Sequence, residues 1–199
     1  MAGPGSGACP PVPLMREPSC EQTEPQSRRA PVIAVCGSGA EDAHLNALAE
    51  AVGALVARQG AVLVCGGLGG VMAAACRGAA AAGGLTVGIL PTACPDDANT
   101  HVAIAIATGM GHARNVAIVQ SADVVIAVGG EYGTLSEIAL ARKAGRPVVG
   151  LESWNLGEPH LVRASSPAEA VALALRLATR NQPVTAGSEP HQGGISPSC

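Results

Sequence analysis

Glycine clusters are the clearest chemical signal in this sequence. Its 26 glycines among 199 residues are about twice the usual share of roughly 7%. Many of them gather where an apolar run stops and a helical pattern starts, in Gly37-Ser38-Gly39, Gly66-Gly67-Leu68-Gly69-Gly70 and Gly129-Gly130-Glu131-Tyr132-Gly133-Thr134. Glycine lets a backbone approach a ligand closely, and helix N-termini offer free N–H groups to an anion. We therefore predict that one phosphate-binding crevice contains Gly37, Ser38, Gly39, Gly66, Gly67, Gly69, Gly130, Gly133 and Thr134.

Two ionisable residues lie close to these loops in the sequence. Arg114 follows the glycine-rich exit 109–111, and an arginine there can bind a phosphate or carboxylate through two parallel hydrogen bonds. Glu137 has two interpretations. It ends Thr134-Leu135-Ser136-Glu137, which matches the capping box S/T-x-x-E and would give its carboxylate only backbone partners. It could instead be a general acid or base. The spacing alone leaves both open.

The common nucleotide-binding fingerprints are absent. After Gly37 and Gly39, the position that should complete G-x-G-x-x-G is Asp42, and the chain's one lysine, Lys143, lies inside a helical pattern and not in a P-loop. We therefore expect neither a nicotinamide-dependent dehydrogenase nor a P-loop NTPase. The seven cysteines contain no C-x-x-C pair, so we predict no zinc ribbon and no metal-ligand set.

Seven short apolar runs predict the strands that position these loops. Most are apolar at consecutive positions, which is typical of strands buried on both faces of a parallel sheet. The runs are Val32–Cys36, Ala61–Cys65, Thr86–Leu90, Val102–Ala107, Val124–Val128, Val148–Leu151 and Leu161–Arg163. Helical patterns separate them, and an alanine-rich helix follows the last. We predict a single-domain, doubly wound, Rossmann-like α/β fold with a mostly parallel sheet of about seven strands. The glycine loops would share its carboxyl edge.

Composition sets the domain limits and excludes several partners. Residues 1–30 and 181–199 are rich in proline and polar residues, so we predict disordered tails around a folded domain at 31–180. A net charge of −3 and 1% aromatic residues argue against a nucleic-acid partner. No apolar run reaches about 18 residues, so no transmembrane helix is expected. The odd, unpatterned cysteines favour a cytoplasmic location.

Several segments together resemble the Lonely Guy (LOG) family. Residues 130–137 resemble its PGGxGTxxE motif, and 111–115 its M-H-x-R-K segment. Residues 66–72 are similar to its GGxxGLM turn, and 36–39 to its first loop. The resemblance covers nearly all of 31–180 in order. Three positions depart from the motifs: Gly129 replaces the proline, Glu131 the second glycine and Asn115 the lysine.

The resemblance implies two different functions. Better-known LOG members are phosphoribohydrolases, which cleave the N-glycosidic bond of N6-substituted adenosine monophosphates. By that likeness Arg114 and Glu137 would be catalytic. The residues at these motifs more closely resemble a side branch of the family. That branch contains the molybdenum-cofactor carrier proteins, which bind a phosphorylated pterin without hydrolysing it. Hydrolysis of a nucleoside 5′-monophosphate is therefore the leading expectation, and carriage of a phosphorylated ligand without hydrolysis is the alternative.

Some expectations are common to both functions. The resemblance implies a homodimer or homotetramer that binds a small phosphorylated ligand. It also implies that no cofactor is required, although molybdenum cofactor or a nucleotide would be a bound ligand.

Overall fold

The computed structural model describes residues 29–157 and 161–180, so the predicted tails lie outside it except for Arg29 and Ala30. Short 3-10 turns cover Pro95–Asp97 and Gly111–Arg114. The helices are α1 Ala43–Arg58, α2 Gly70–Ala81, α3 Asn115–Ser121, α4 Tyr132–Lys143 and α5 Pro167–Arg180. The strands are β1 Val32–Gly37, β2 Val62–Cys65, β3 Thr86–Leu90, β4 Ile104–Ala107, β5 Val124–Val128, β6 Val148–Leu151 and β7 Val162–Ala164.

The seven strands form one sheet in the order β4-β3-β2-β1-β5-β6-β7, and every neighbouring pair is parallel. The predicted doubly wound α/β fold is confirmed, and the sheet is parallel throughout. The chain builds outward from β1 to β4 and then returns to the other side of β1 with β5. Ligands of such sheets bind at the carboxyl ends of the strands where the order reverses, here between β1 and β5.

Aliphatic side chains fill a helix layer on each face of the sheet. Ile33 and Val35 of β1 join the core under α1, α2 and α5, whereas Ala34 and Cys36 join the core under α3 and α4. Successive residues of a strand point to opposite faces, so a central strand covered on both sides needs apolar residues at every position. This explains the unbroken apolar runs of β1 and β5.

The expectation of burial on both faces is wrong for β4. Ile104 and Ile106 are 47% and 45% exposed, and they share a face with the helices α3 and α4. Those helices pack on β1, β2, β5 and β6. Because β4 is the edge strand, its isoleucines lie beyond the helices that cover the centre of the sheet.

The amino-terminal end of the described chain is fastened to the core. Arg29 Nη1 donates to Asp123 Oδ2 at 3.0 Å, and the same oxygen accepts from the Val32 backbone N–H at 2.9 Å. Asp123 is 4% exposed. Arg29 therefore contacts the folded part although it falls in the predicted tail. Within residues 29–157 and 161–180, no helix is long and apolar enough to cross a membrane.

Helices α1 and α2 pack backbone to backbone through two glycines. A Cβ on Gly53 would overlap the Ala75 carbonyl, and one on Gly78 would overlap the Glu50 carbonyl. The two helix backbones therefore lie closer together than side chains at these two positions would allow.

We expect Gly53→Ala to lower the free energy of unfolding by about 1–3 kcal/mol, because the added methyl forces the two helices apart. The loss should appear although alanine is intrinsically the better helix former by about 1 kcal/mol. Urea unfolding followed by circular dichroism measures it. Gly133→Ala is the matched control, since its Cβ would meet nothing within 4 Å. Equal stability of Gly53→Ala and the wild type would contradict the close helix packing.

Candidate functional site

The loops after β1 and β2 are in direct contact. The Val71 backbone N–H donates to the Ser38 carbonyl at 3.0 Å. Gly70 has a φ of +58°, and a Cβ there would lie 2.8 Å from the Gly39 carbonyl carbon. A Cβ on Gly69 would lie 3.3 Å from the Gly39 carbonyl oxygen. These glycines allow the two loops to cross with no side chain between them.

The loop after β5 joins the same edge. Gly37 pairs with Val128 in the ladder, and a Cβ on Gly37 would lie 2.7 Å from the Val128 carbonyl oxygen. Gly129 has a φ of +64°, which the proline of the LOG motif could not adopt. Gly130 lies against the indole of Trp154. The three predicted loops thus meet at one edge, while their contact with a ligand stays a prediction.

Helix α1 is closed to an anion by its own side chain. Asp42 is its N-cap and accepts from the backbone N–H groups of His44 and Leu45 at 2.9 and 3.0 Å. Asp42 stands where the G-x-G-x-x-G fingerprint has its last glycine, so the residue that breaks the fingerprint also occupies the usual phosphate position. The N-caps of α2 and α4, Gly69 and Glu131, make no side-chain cap bond. In α2 the Val71 N–H is already bonded to the Ser38 carbonyl, whereas the first turn of α4 keeps its N–H groups free for an anion.

The first turn of α4 also contains a buried hydroxyl without a partner. Thr134 is 1% exposed, and its Oγ1 has no hydrogen-bond partner among the described residues. Gly133 beside it has open space where a side chain would be. A buried polar atom left unpaired costs roughly 1–3 kcal/mol, so native proteins usually give it a partner. The first turn of α4 is therefore a candidate anion site.

Arg114 lies almost buried, 7% exposed, beneath the loop after β2. Its Nη1 donates to Asn115 Oδ1 at 2.5 Å, and its Nη2 reaches the Gly66 carbonyl at 3.5 Å. Its Nε has no partner among the described residues. Burial lowers the guanidinium pKa, and Glu137 opposes that shift. A side chain on Gly66 would collide with the guanidinium, so this glycine makes room for Arg114.

Glu137 is not part of a capping box. Helix α4 begins at Tyr132 with Glu131 as N-cap, so Thr134 already lies inside the first turn and Glu137 lies one turn further on. That alternative is therefore wrong. The Glu137 carboxylate is instead 3.8 Å from Arg114 Nη1, and the residue is 7% exposed. Because Thr134 and Glu137 are three residues apart, they share one face of α4.

Burial changes the acidity of this cluster. Desolvation raises the pKa of Glu137 to about 7, against the attraction of Arg114 and a contact with the Cys36 thiol. Burial, with the charge of Glu137, raises the pKa of Cys36 well above its usual value. A carboxyl group with a pKa near neutrality can both donate and accept a proton, which suits general acid–base chemistry.

Gly67 differs from the other predicted binding residues. It has a φ of +73°, its N–H donates to Cys65 Sγ at 3.3 Å, and its carbonyl accepts from the Asn99 N–H at 2.8 Å. Both of its backbone groups are therefore used inside the protein. Gly67 shapes the turn, and its predicted ligand contact would not use its N–H.

Sequence reasoning gave no role in the site to Asn115 or Cys36, yet both join it. Asn115, noted only as a departure from the motif lysine, connects Arg114 to Ser136 through its Nδ2 at 3.3 Å from Oγ. The thiol of Cys36, on β1, contacts the Glu137 carboxylate. Tyr132 and Trp154 stand together with ring centroids 6.1 Å apart. They are the chain's one tyrosine and one tryptophan, and the sequence alone leaves stacking on a base and simple packing open for them.

The order of these motifs along the chain is that of a known family. Residues 30–182 match the sequence profile of the SLOG cluster4 family. The chain belongs to this family. The SLOG cluster4 family is part of the LOG-like superfamily, so the resemblance seen in the motifs is confirmed.

Two similar solved structures are of proteins whose names refer to molybdenum cofactor. The molybdenum cofactor binding protein of Rippkaea orientalis is 41% identical with a TM-score of 0.72, over 76% of this chain and 99% of that one. The Moco carrier protein of Chlamydomonas reinhardtii is 36% identical with a TM-score of 0.70, over the same shares. An uncharacterized protein of Archaeoglobus fulgidus is 52% identical over 120 residues, 60% of this chain and 79% of its own length.

More distant structures share only the fold. DNA processing protein A of Streptococcus pneumoniae is 21% identical with a TM-score of 0.59, over 72% of this chain and 61% of that one. At that identity the likeness shows a common Rossmann-like architecture and carries nothing about nucleic acid.

Proposed function

We propose that the protein binds a small phosphorylated ligand at the amino-terminal turn of α4 and carries it without cleaving it. The observation that carries the proposal is the buried, unpartnered Thr134 Oγ1 in an uncapped helix turn. Phosphate oxygens accept hydrogen bonds from hydroxyl and backbone N–H groups together, as this turn offers them. The Nε of Arg114 adds a second unpartnered donor, while the Nη1 of the same guanidinium faces Glu137.

The leading ligand is molybdenum cofactor, a phosphorylated pterin. The 41% and 36% identities to a binding protein and a carrier protein for that cofactor support this choice. In this chain Thr134, the first-turn N–H groups of α4 and Arg114 would hold the phosphate. The cofactor would be cargo, so these residues have only to bind and orient it.

Carriage fits the contacts of Glu137 better than hydrolysis does. A hydrolytic carboxylate must touch the glycosidic carbon or the attacking water. The Glu137 carboxylate instead faces Arg114 and Cys36 inside the protein, whereas the unpartnered atoms of the cluster are donors suited to an anion. We therefore assign Glu137 the positioning of Arg114.

Hydrolysis of a nucleoside 5′-monophosphate is the second candidate. One observation favours it: Arg114 and Glu137, the pair implied by the LOG resemblance, are 3.8 Å apart, and the pKa of Glu137 is raised to about 7. A general acid at neutral pH needs such a value.

Co-purifying ligands and turnover separate the two functions. We expect mass spectrometry of the gently purified protein to find a phosphorylated pterin, and we expect no free base from adenosine or guanosine monophosphate after long incubation. Repeated release of free base and ribose 5-phosphate would make the protein a hydrolase. If no phosphorylated compound binds, the phosphate site itself is wrong.

A further inference from the structure

The chain's aromatic residues are concentrated at one place. The sequence has one tryptophan, one tyrosine and no phenylalanine in 199 residues. Tyr132 is the first residue of α4 and Trp154 follows β6, yet their ring centroids are 6.1 Å apart with planes tilted by 40°. The hydrophobic core of the described residues contains no aromatic side chain. Both aromatic rings of the chain lie instead beside the turn that we assign to phosphate.

These rings border an open cavity. A cavity of about 490 Å³ is lined by Gly130, Glu131, Tyr132, Gly133 and Trp154. Pockets for small ligands commonly have about 300–1,000 Å³, so this one has room for a bicyclic heteroaromatic ring. It lies against the same α4 turn that presents Thr134 and the free N–H groups.

The two rings have different surroundings. Trp154 is held in place, because its Nε1 donates to the Glu131 carbonyl at 3.3 Å and its indole lies against Gly130. Tyr132 is 83% exposed. The exposed ring of Tyr132, beside the anchored indole, offers an aromatic face on which a ligand ring can stack.

The two sides of the first turn of α4 differ in both exposure and charge. Tyr132 and Thr134 are 83% and 1% exposed, so one side of the turn faces the cavity and the other the protein interior. Glu131 brings an exposed carboxylate to the cavity, and it forms no ion pair among the described residues. A carboxylate repels phosphate, while Arg114 and the free N–H groups attract it. The ligand's phosphate is therefore directed inward and its ring outward.

We propose that Tyr132, Trp154 and Glu131 form a ring subsite that selects bicyclic rings containing a 2-amino-4-oxopyrimidine unit, as guanine and pterins do. Such rings have an N–H and an amino group side by side, and one carboxylate can accept from both. Adenine has a ring acceptor beside its amino group, so it offers Glu131 a single donor. This inference rests on the proposed phosphate site, and it specifies which ring the phosphorylated ligand carries.

Three probes separate ring binding from phosphate binding: guanosine monophosphate, adenosine monophosphate and ribose 5-phosphate. We expect the guanosine nucleotide to bind about tenfold more tightly than the adenosine nucleotide in calorimetry. It should also quench the fluorescence of Trp154, which is the chain's one tryptophan. Ribose 5-phosphate should bind with little quenching, because it has no ring to stack.

Substitution at Tyr132 tests the stacking. We expect Tyr132→Ala to raise the Kd for guanosine monophosphate about tenfold or more, the usual cost of losing one base–aromatic stack. Tyr132→Phe keeps the ring and should bind like the wild type. Both variants should bind ribose 5-phosphate within twofold of the wild type, and both should fold, because the side chain is exposed.

Substitution at Glu131 tests the selectivity. Glu131→Gln should reduce the preference for guanosine over adenosine monophosphate to less than about threefold. Glu152→Gln is the matched control, since Glu152 also follows a strand at this edge but its Oε2 is bonded to His44 Nε2 at 2.8 Å. The control should keep the full preference.

The outcomes distinguish this inference from the proposed function. If ribose 5-phosphate binds but Tyr132→Ala leaves guanosine monophosphate unaffected, the ring subsite is wrong and the phosphate site stands. An equal loss for both ligands in Tyr132→Ala would also overturn the subsite, because it would place Tyr132 on the phosphate. If neither ribose 5-phosphate nor guanosine monophosphate binds the wild type, the proposed function and this inference fail together.

Discussion

Arg114→Ala is expected to weaken the binding of ribose 5-phosphate by about a hundredfold or more. The Nε of Arg114 is unpartnered and Nη2 makes only a long contact of 3.5 Å with Gly66. These two nitrogens lie on one edge of the guanidinium plane, so a phosphate can accept two parallel hydrogen bonds from them. Hydrogen bonds to charged groups contribute roughly 1.5–3 kcal/mol each, and 1.4 kcal/mol corresponds to tenfold in Kd.

Two further variants separate the guanidinium geometry from simple charge. Arg114→Lys keeps the charge but loses the paired donors, so we expect a loss of about tenfold. Arg77→Ala is the control, because it removes the same charge from an arginine on α2 whose Nη2 pairs with Glu50 at 2.8 Å. The Kd of this variant for ribose 5-phosphate should stay within twofold of the wild-type value. Calorimetry with ribose 5-phosphate measures all three. Equal Kd values for Arg114→Ala and Arg77→Ala would remove Arg114 from the site.

The sheet was predictable because a strand buried on both faces needs an apolar residue at every position. Val124–Val128 is apolar throughout since β5 lies in the middle of the sheet under helices on each side. The exposure of Ile104 and Ile106 was not predictable in this way. Whether an apolar run becomes a central or an edge strand depends on where the crossovers place it, and a single run carries no record of that.

Local pattern also failed at the start of α4. The tetrapeptide from Thr134 to Glu137 fits a capping box, but the helix begins earlier, at Tyr132. The positive φ of Gly129 ends β5 sharply and makes Glu131 the N-cap. The cap position is thus set by the turn before the helix, which the four residues of the box do not contain.

The site could be located from the sequence more readily than its chemistry. Glycine clusters after strands are sufficient to place three loops at one edge of a parallel sheet. The contact between Tyr132 and Trp154 depends on β6 lying beside β5, so no spacing along the chain reveals it. The burial of Glu137 depends likewise on Arg114 and Cys36, which come from other elements.

Glu137→Gln is expected to remove most of the pH dependence of stability between about pH 4.5 and 8. In the wild type, the folded state holds the Glu137 proton with a pKa of about 7, above the ordinary 4.5. The stabilisation is therefore complete below pH 4.5 and is lost as the pH rises through 7, a difference of about 3 kcal/mol. Glutamine has no proton to lose, so its stability should stay nearly flat over this range.

Urea unfolding at pH 5 and pH 8 measures this difference in each protein. Glu41→Gln, which replaces an exposed glutamate at the start of α1, should keep the slope of the wild type. A slope that survives in Glu137→Gln would assign the titration to another group.

The same variant decides between positioning and catalysis at Glu137. If the carboxylate only holds Arg114, the glutamine amide keeps an oxygen beside the guanidinium, so ribose 5-phosphate should bind within about threefold of the wild type. Neither protein should then release free base. If Glu137 is a general acid or base, the wild type turns over and the variant loses about a hundredfold or more in rate with its binding retained. Turnover that is equal in both proteins would exclude Glu137 from the chemistry and leave the reaction to other groups of the crevice.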